Sequence, residues 1–300
     1  MSRRRKIIIV LLILIASASA GYLAYRGVST ALQARRYREL REQVTLPTAV
    51  TTTLATTEAT TTAATTAAVT EPVTSTATVT ATTPKTTAVT TTETTTEPTT
   101  ATTTEATTTS QAIDFVSLQK INPEIYAWID IPGTEMSFPL LQDASDINYY
   151  LTHLYDGSYG KIGSIFTEPG SAKDFSDYNT VIYGHNYINS HMFERLKDFR
   201  DDTFLREHRD IIIYTPYSTL TYRVAGEVIY SNVLISAAFD FETAPGRQSF
   251  LDSLYAVRDL SSQMLDDTEL TADDHLIVLS TCCGNAAKRF LVIAKLVDVR

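Results

Sequence analysis

The chain has 300 residues and a formal net charge of −9, yet its charge is divided by region: net +7 over residues 1–45, −4 over 46–112 and −12 over 113–300. Only the last 188 residues have the mixed composition of a packed core, enough for one domain burying roughly 70% of its unfolded surface, which argues against tandem domains, a solenoid or a disulfide-rich mini-protein. A domain this acidic is also a poor match for nucleic acid, which calls for a basic face.

The chain opens with Arg3, Arg4, Arg5 and Lys6, followed by an uncharged run over residues 7–25. As a helix that run would rise about 28 Å, close to the thickness of a bilayer's hydrocarbon core. Small residues from Ala16 to Ala20 also suit a cleaved signal peptide. The spanning length and the basic stretch that follows favour an uncleaved anchor. The tight basic cluster before the run predicts an N-terminus inside and a C-terminal part outside. Arg26, Arg35, Arg36, Arg38 and Arg41 are then expected to lie on anionic headgroups.

Thr occupies 33 of the 60 positions from 51 to 110. β-Branched Thr disfavours helix, the scattered prolines interrupt strands, and too little apolar surface is present to offset ordering entropy. Residues 46–112 are expected to be a disordered stalk, open to O-glycosylation, that holds a domain away from a membrane. That domain, residues 113–300, should need neither anchor nor stalk to fold.

It begins with a helical face of Phe115, Leu118 and Ile121, and Pro123 is placed to start a further turn holding Ile125 and Trp128. Short apolar runs bounded by turn residues follow at 128–131, 163–167, 180–183, 211–215, 219–231, 276–281 and 290–297, and each reads as a strand. Helices are expected around 192–196 and over 249–260. Seven or eight strands with two internal helices predict a mainly β barrel or sandwich and not a βαβ sheet.

The only cysteines, Cys282 and Cys283, are adjacent. Neighbours in a strand point to opposite faces, so a disulfide between them would be strained. No cluster of Cys and His supplies a zinc site, and no loop of EF-hand type is present. Cys282, at a strand end and beside Gly284, is left as either a small buried hydrophobe or a nucleophile. A nucleophilic thiol needs a proton acceptor or a cationic neighbour. Of five histidines, only His185 directly follows an apolar run and a Gly, at a strand's end; His153, His191, His208 and His275 read as bland surface or turn residues. Arg289 opens the strand after the cysteine loop. In a hairpin its guanidinium could return to the thiol and support an oxyanion, or it could be a solvated strand end.

Residues 278–282 (Val-Leu-Ser-Thr-Cys), followed by Arg289-Phe290-Leu291-Val292, resemble the sortase signature, and residues 179–186 (Asn-Thr-Val-Ile-Tyr-Gly-His-Asn) resemble the sortase histidine segment. Residues 121–134, Tyr149-Tyr150-Leu151 and 163–166 are similar to class B sortases in particular, as are Met192-Phe193 with Leu196 and Tyr214-Thr215-Pro216. The order of these segments spans residues 113–300. The sequence departs from the pattern in a second cysteine at 283 and in Val278, where Thr is frequent.

The resemblance implies a closed eight-stranded barrel with N-terminal helices and a helix before the cysteine strand. It implies a membrane-held cysteine transpeptidase of the Gram-positive cell surface, with Cys282, His185 and Arg289 as the catalytic set and no cofactor or metal. Its partners would be the sorting-signal peptide of surface proteins and an amine from a peptidoglycan precursor or a pilin. Three other readings stay open: a stalked, non-enzymatic adhesin, a hydrolytic cysteine peptidase, and a sorting substrate. The last is disfavoured by the lack of a long apolar C-terminal tail.

Overall fold

The computed structural model describes residues 3–46, 113–187, 192–260 and 262–300, with side-chain surroundings from residue 12 onward. Almost all of the expected stalk lies outside the described residues. The chain enters as one helix, α1 (Arg3–Gln43). A short α2 (Phe115–Ile121) follows, capped by Asp114, whose carboxylate accepts from the Ser117 amide at 3.0 Å. Phe115 and Leu118 are buried as their spacing predicts, while Ile121 stays exposed.

The strands come next: β1 (Ile125–Asp130), β2 (Ser137–Leu141), β3 (Ile165–Thr167), β4 (Asn179–Tyr183), β5 (Asp210–Tyr214), β6 (Thr219–Ser231), β7 (Gln263–Met264), β8 (Leu276–Cys282) and β9 (Lys288–Val299). Their order is β5-β1-β2-β3-β4-β8-β9-β6-β7, and β5 also pairs with β6. That last pairing closes eight strands into a barrel and leaves the two-residue β7 on its rim. The barrel is mixed: β2 with β3 and β4 with β8 are parallel, and the other pairs are antiparallel. The long β6 and β9 pair over nearly their whole length, and two register shifts let β6 bend around the barrel.

Among the described residues three apolar clusters hold the fold. One fills the barrel around Ile129, Leu140, Ile182, Phe193, Tyr222, Leu279 and Val292. A second seats α5 (Ala244–Tyr255) on the outer face through Phe250, Leu251 and Leu254. The third joins α2 and the end of α1 to β1, with Leu40, Ile113, Phe115, Leu118 and Trp128 buried together.

Several expected elements are revised. Pro123 does not open a helical turn; Ile125 and Trp128 lie in β1, whose six residues are all buried. β2 contains Pro139, which masks a strand in sequence because Pro cannot donate to a ladder. The helix expected over 249–260 is α5, starting earlier because Thr243 accepts from the Gly246 amide and Pro245 fits the first turn. The helix expected around 192–196 is a 3₁₀ helix, Phe193–Arg200, followed by α3 (Asp202–Glu207), with a further short α4 at Ile235–Ala238.

The basic stretch after the apolar run is corrected too. Arg26 donates to the Tyr187 hydroxyl at 2.8 Å, Arg36 meets Asp156 at 3.5 Å, and Arg41 donates to the Glu135 carbonyl at 2.7 Å. Ala34, Tyr37 and Leu40, one turn apart, are buried against the barrel. This part of α1 therefore binds protein where headgroups were expected. Among the described residues no helix is long and apolar enough to cross a membrane. The side chains of residues 7–11, the start of the expected span, lie outside the described set.

Candidate active site

The site lies where β4 and β8 end side by side. Their parallel register sets Ile182 beside Leu279 and Tyr183 beside Ser280, so the residues that follow each strand emerge together. After β4 come Gly184 and His185; β8 closes on Thr281 and Cys282. Three hydrogen bonds fasten the two segments. The Gly184 amide donates to the Ser280 carbonyl at 3.2 Å, and the Thr281 hydroxyl to the Gly184 carbonyl at 2.7 Å. The Asn186 side-chain amide donates to the Cys282 carbonyl at 2.6 Å. Gly184 is required by space: a Cβ there would meet Ile165 Cδ1 at 2.5 Å and the Phe193 ring at 2.7 Å.

β8 turns through Gly284 (φ +84°) into β9, and the antiparallel register pairs Cys282 directly with Arg289. The hairpin expected from sequence is present. Cys282, His185 and Arg289 all line one open cleft of about 420 Å³, together with Leu151, Tyr183 and Leu234. The adjacent thiols have different surroundings. Cys282 is exposed to the cleft, whereas Cys283 is half-buried and packs on the barrel's interior cluster.

The His185 ring is fixed by backbone. Its Nε2 lies 2.7 Å from the Leu151 carbonyl oxygen, which can only accept, so Nε2 carries the proton. In the neutral ring Nδ1 is then the free base. Gly163 makes room for this contact: it adopts φ +62°, and a Cβ on it would press on the Tyr150 and Leu151 carbonyls and sit 3.1 Å from the ring. Arg289 keeps one guanidinium nitrogen on the Lys288 carbonyl at 3.1 Å.

Tyr183, a half-buried residue lining the cleft, makes a polar contact with residues outside it. The Tyr183 hydroxyl donates to the Glu168 carboxylate, which also accepts from Ser236. Burial, reinforced by that carboxylate, raises the phenol's pKa, so Tyr183 stays neutral. The cleft also has an apolar part: Val233 and Leu234, on the connection after β6, line it and are both partly exposed. The cleft thus offers an accessible thiol, an oriented imidazole, a guanidinium and an apolar lip, a set suited to acyl transfer from an extended peptide.

Residues 129–297 match the sortase domain model, more than half of the chain. The chain belongs to the sortase family. Its relatives place it in class B. It is 29% identical to sortase B of Staphylococcus aureus over 188 residues, covering 62% of this chain and 75% of the relative. To sortase B of Listeria monocytogenes it is 34% identical over 166 residues, 55% of this chain and 65% of the relative. Among solved structures, a Staphylococcus aureus sortase B–substrate complex superposes with a TM-score of 0.54 at 29% identity, covering 61% of this chain and 84% of that one. The expected eight-stranded sortase barrel is therefore the fold, and the family's activity class is cysteine transpeptidation.

The other histidines have structural surroundings. His153 stacks on Tyr149, and His208 and His275 each contact a backbone carbonyl, of Pro132 and Asp177 respectively. His191 lies outside the described residues. Sequence reasoning passed over Leu151, Gly163, Asn186 and the Tyr183–Glu168 pair as working parts. Leu151 acts through a carbonyl and Gly163 through a missing side chain, so neither residue type could announce the contact.

Proposed function

We propose that this sortase is a membrane-anchored transpeptidase that cleaves a C-terminal sorting signal and passes the acyl group to a cell-wall or pilin amine. Cys282 is the nucleophile: it gives its thiol proton to His185 Nδ1 as its sulfur attacks a backbone carbonyl of the signal peptide, forming the C–S bond of a tetrahedral intermediate. Arg289 supports the developing oxyanion, or the peptide beside it, from the neighbouring strand. Collapse to the thioester breaks the peptide C–N bond, and His185 supplies the proton that the departing amine takes. An incoming amine then attacks the thioester carbonyl, gives up a proton and releases the thiol. The observation that carries this reading is the convergence of Cys282, His185 and Arg289 on one cleft from three chain segments. A non-enzymatic adhesin has no use for that convergence.

The anchor is the uncharged run over residues 7–25, which lies within the unbroken helix α1. The exposed Tyr22 and Tyr25 at its end suit the aromatic belt of a bilayer interface.

The test is to incubate the full chain, in detergent, with a library of sorting peptides and trap the acyl-enzyme by mass spectrometry. A thioester on Cys282 is expected, resolved faster by added amine than by water. Turnover to hydrolysed product alone, unaffected by amines, would instead mark a peptidase.

A further inference from the structure

We infer that α1 clamps the barrel so that the catalytic cleft sits at the membrane surface, and that the Thr-rich tract is not the spacer between membrane and enzyme. The inference rests on the anchor reading above for the position of the bilayer, and on two observations of its own for the position of the cleft.

The first concerns the flanks of the tract. On the N-terminal side Leu40 is buried, with Val44 and Leu46 packed beside it; on the C-terminal side Ile113, Phe115 and Leu118 are buried. All belong to one apolar cluster. A segment whose two flanks enter the same cluster separates nothing from the domain; it is an insertion in the domain's sequence. The seat of α1 is also built as a core, not as a glancing contact. Tyr37 is 5% exposed. Its hydroxyl donates to the Gly163 carbonyl at 2.8 Å, lies 2.8 Å from the Ser164 hydroxyl and accepts from the Tyr155 amide at 3.1 Å.

The second observation sets the height of the cleft. Arg26, the first charged residue after the apolar run, already touches the domain, at Tyr187, two residues beyond His185. α1 has no break between run and seat, so the last apolar residue and the first domain contact are about one 1.5 Å step apart along the axis. Leu40 lies roughly 21 Å further along. The histidine loop is therefore at the membrane end of the clamp, and the cluster around Leu40 is at the far end.

The test uses the full chain in vesicles, with a site-specific protease sequence inserted after Pro84. After cutting, the C-terminal fragment is expected to stay with the pelleted vesicles and to leave only in denaturant. Release by the cut alone overturns the inference and leaves the anchor reading standing. Loss of the uncut chain from vesicles in an alkaline wash overturns both. A second readout places the cleft. A fluorophore on Cys282, in a Cys283→Ala chain, is compared with one on Tyr217→Cys in a chain lacking both native thiols. Tyr217 is fully exposed on the turn after β5, whose Tyr214 shares the cluster of Leu40. Headgroup-attached nitroxide lipids should quench the Cys282 probe several-fold more strongly. Equal quenching, or stronger quenching at residue 217, overturns the inference.

Discussion

The cleft and the seat of α1 are built on opposite plans. In the cleft Cys282 is exposed and His185 and Arg289 are half-buried, and the segments that carry them are aimed by backbone contacts from Leu151, Ser280 and Gly184. In the seat, Ala34, Tyr37 and Leu40 are buried and none of their side chains lines the cleft. Substitutions should therefore separate cleanly, with rate falling at one region and stability at the other. Any variant that moved both would show the two regions to be coupled.

Cys282→Ala should give the largest effect, with no detectable acyl-enzyme and an unchanged melting temperature, because the thiol is exposed and carries no packing. Cys283→Ala should retain most of the activity and lose some stability, since its sulfur packs on the interior cluster. Intact-mass detection of acylation together with thermal melting checks both. A dead Cys283→Ala beside an active Cys282→Ala would invert the assignment of the two faces.

Arg289 comes next. If it supports an oxyanion, Arg289→Ala should slow acylation by ~10²–10³. Arg289→Lys should recover little of that loss, because an ammonium lacks the planar fork of donors. Alkylation of Cys282 by a small reagent and the melting temperature should both stay near wild type. Near-normal acylation in both variants would return Arg289 to the role of a strand-end surface residue.

In the seat the expected pattern is reversed. Tyr37→Phe keeps the ring against Phe138 and Tyr155 but strips the hydroxyl from the Gly163 carbonyl, Ser164 and the Tyr155 amide. Leaving buried polar groups unpaired costs about 1–3 kcal/mol, readable by denaturant unfolding. Acylation per folded molecule should not change. A chain starting at residue 113 lacks Tyr37 and Leu40 altogether and should melt lower than one starting at Arg26.

How far each region was legible in sequence follows from the range of its contacts. His185 and Cys282 could be placed at strand ends because apolar runs stop just before them, and Arg289 because a short Gly-bearing loop predicts a hairpin. Those signals are local, and the barrel's parallel β4–β8 register does the rest. The seat had no such signal. Tyr37 stands among Arg35, Arg36, Arg38 and Arg41, a pattern that reads as a solvated or lipid-facing helix, and its partners lie more than a hundred residues away. β2 was hidden for a different reason: Pro139 is a strand breaker by composition, and only its pairing with Trp128 reveals the strand.

The last expected effect, on pH-dependent stability and not on rate, belongs to a group outside both regions. Glu227, on β6 opposite Val292, is buried with one carboxylate oxygen lacking a hydrogen-bond partner. Burial pushes its pKa up to about 7 from an ordinary 4.5, opposed by the Arg200 charge and reinforced by that of Asp259. A carboxyl whose folded pKa is raised binds its proton more tightly in the folded state than in the unfolded one. Stability therefore falls as pH rises from about 4.5 to about 7 and is flat, for this group, above that. Glu227→Gln keeps the shape and cannot ionise, so it should remove that part of the slope. The variant should be more stable than wild type at pH 8, with the advantage shrinking toward pH 4.5, as followed by urea unfolding across that range. Because Glu227 lines neither the cleft nor the seat, its acylation rate at a fixed pH should match wild type. A rate that instead tracked the lost titration would join β6 to the cleft, and the separation of stability from turnover would not hold along that strand.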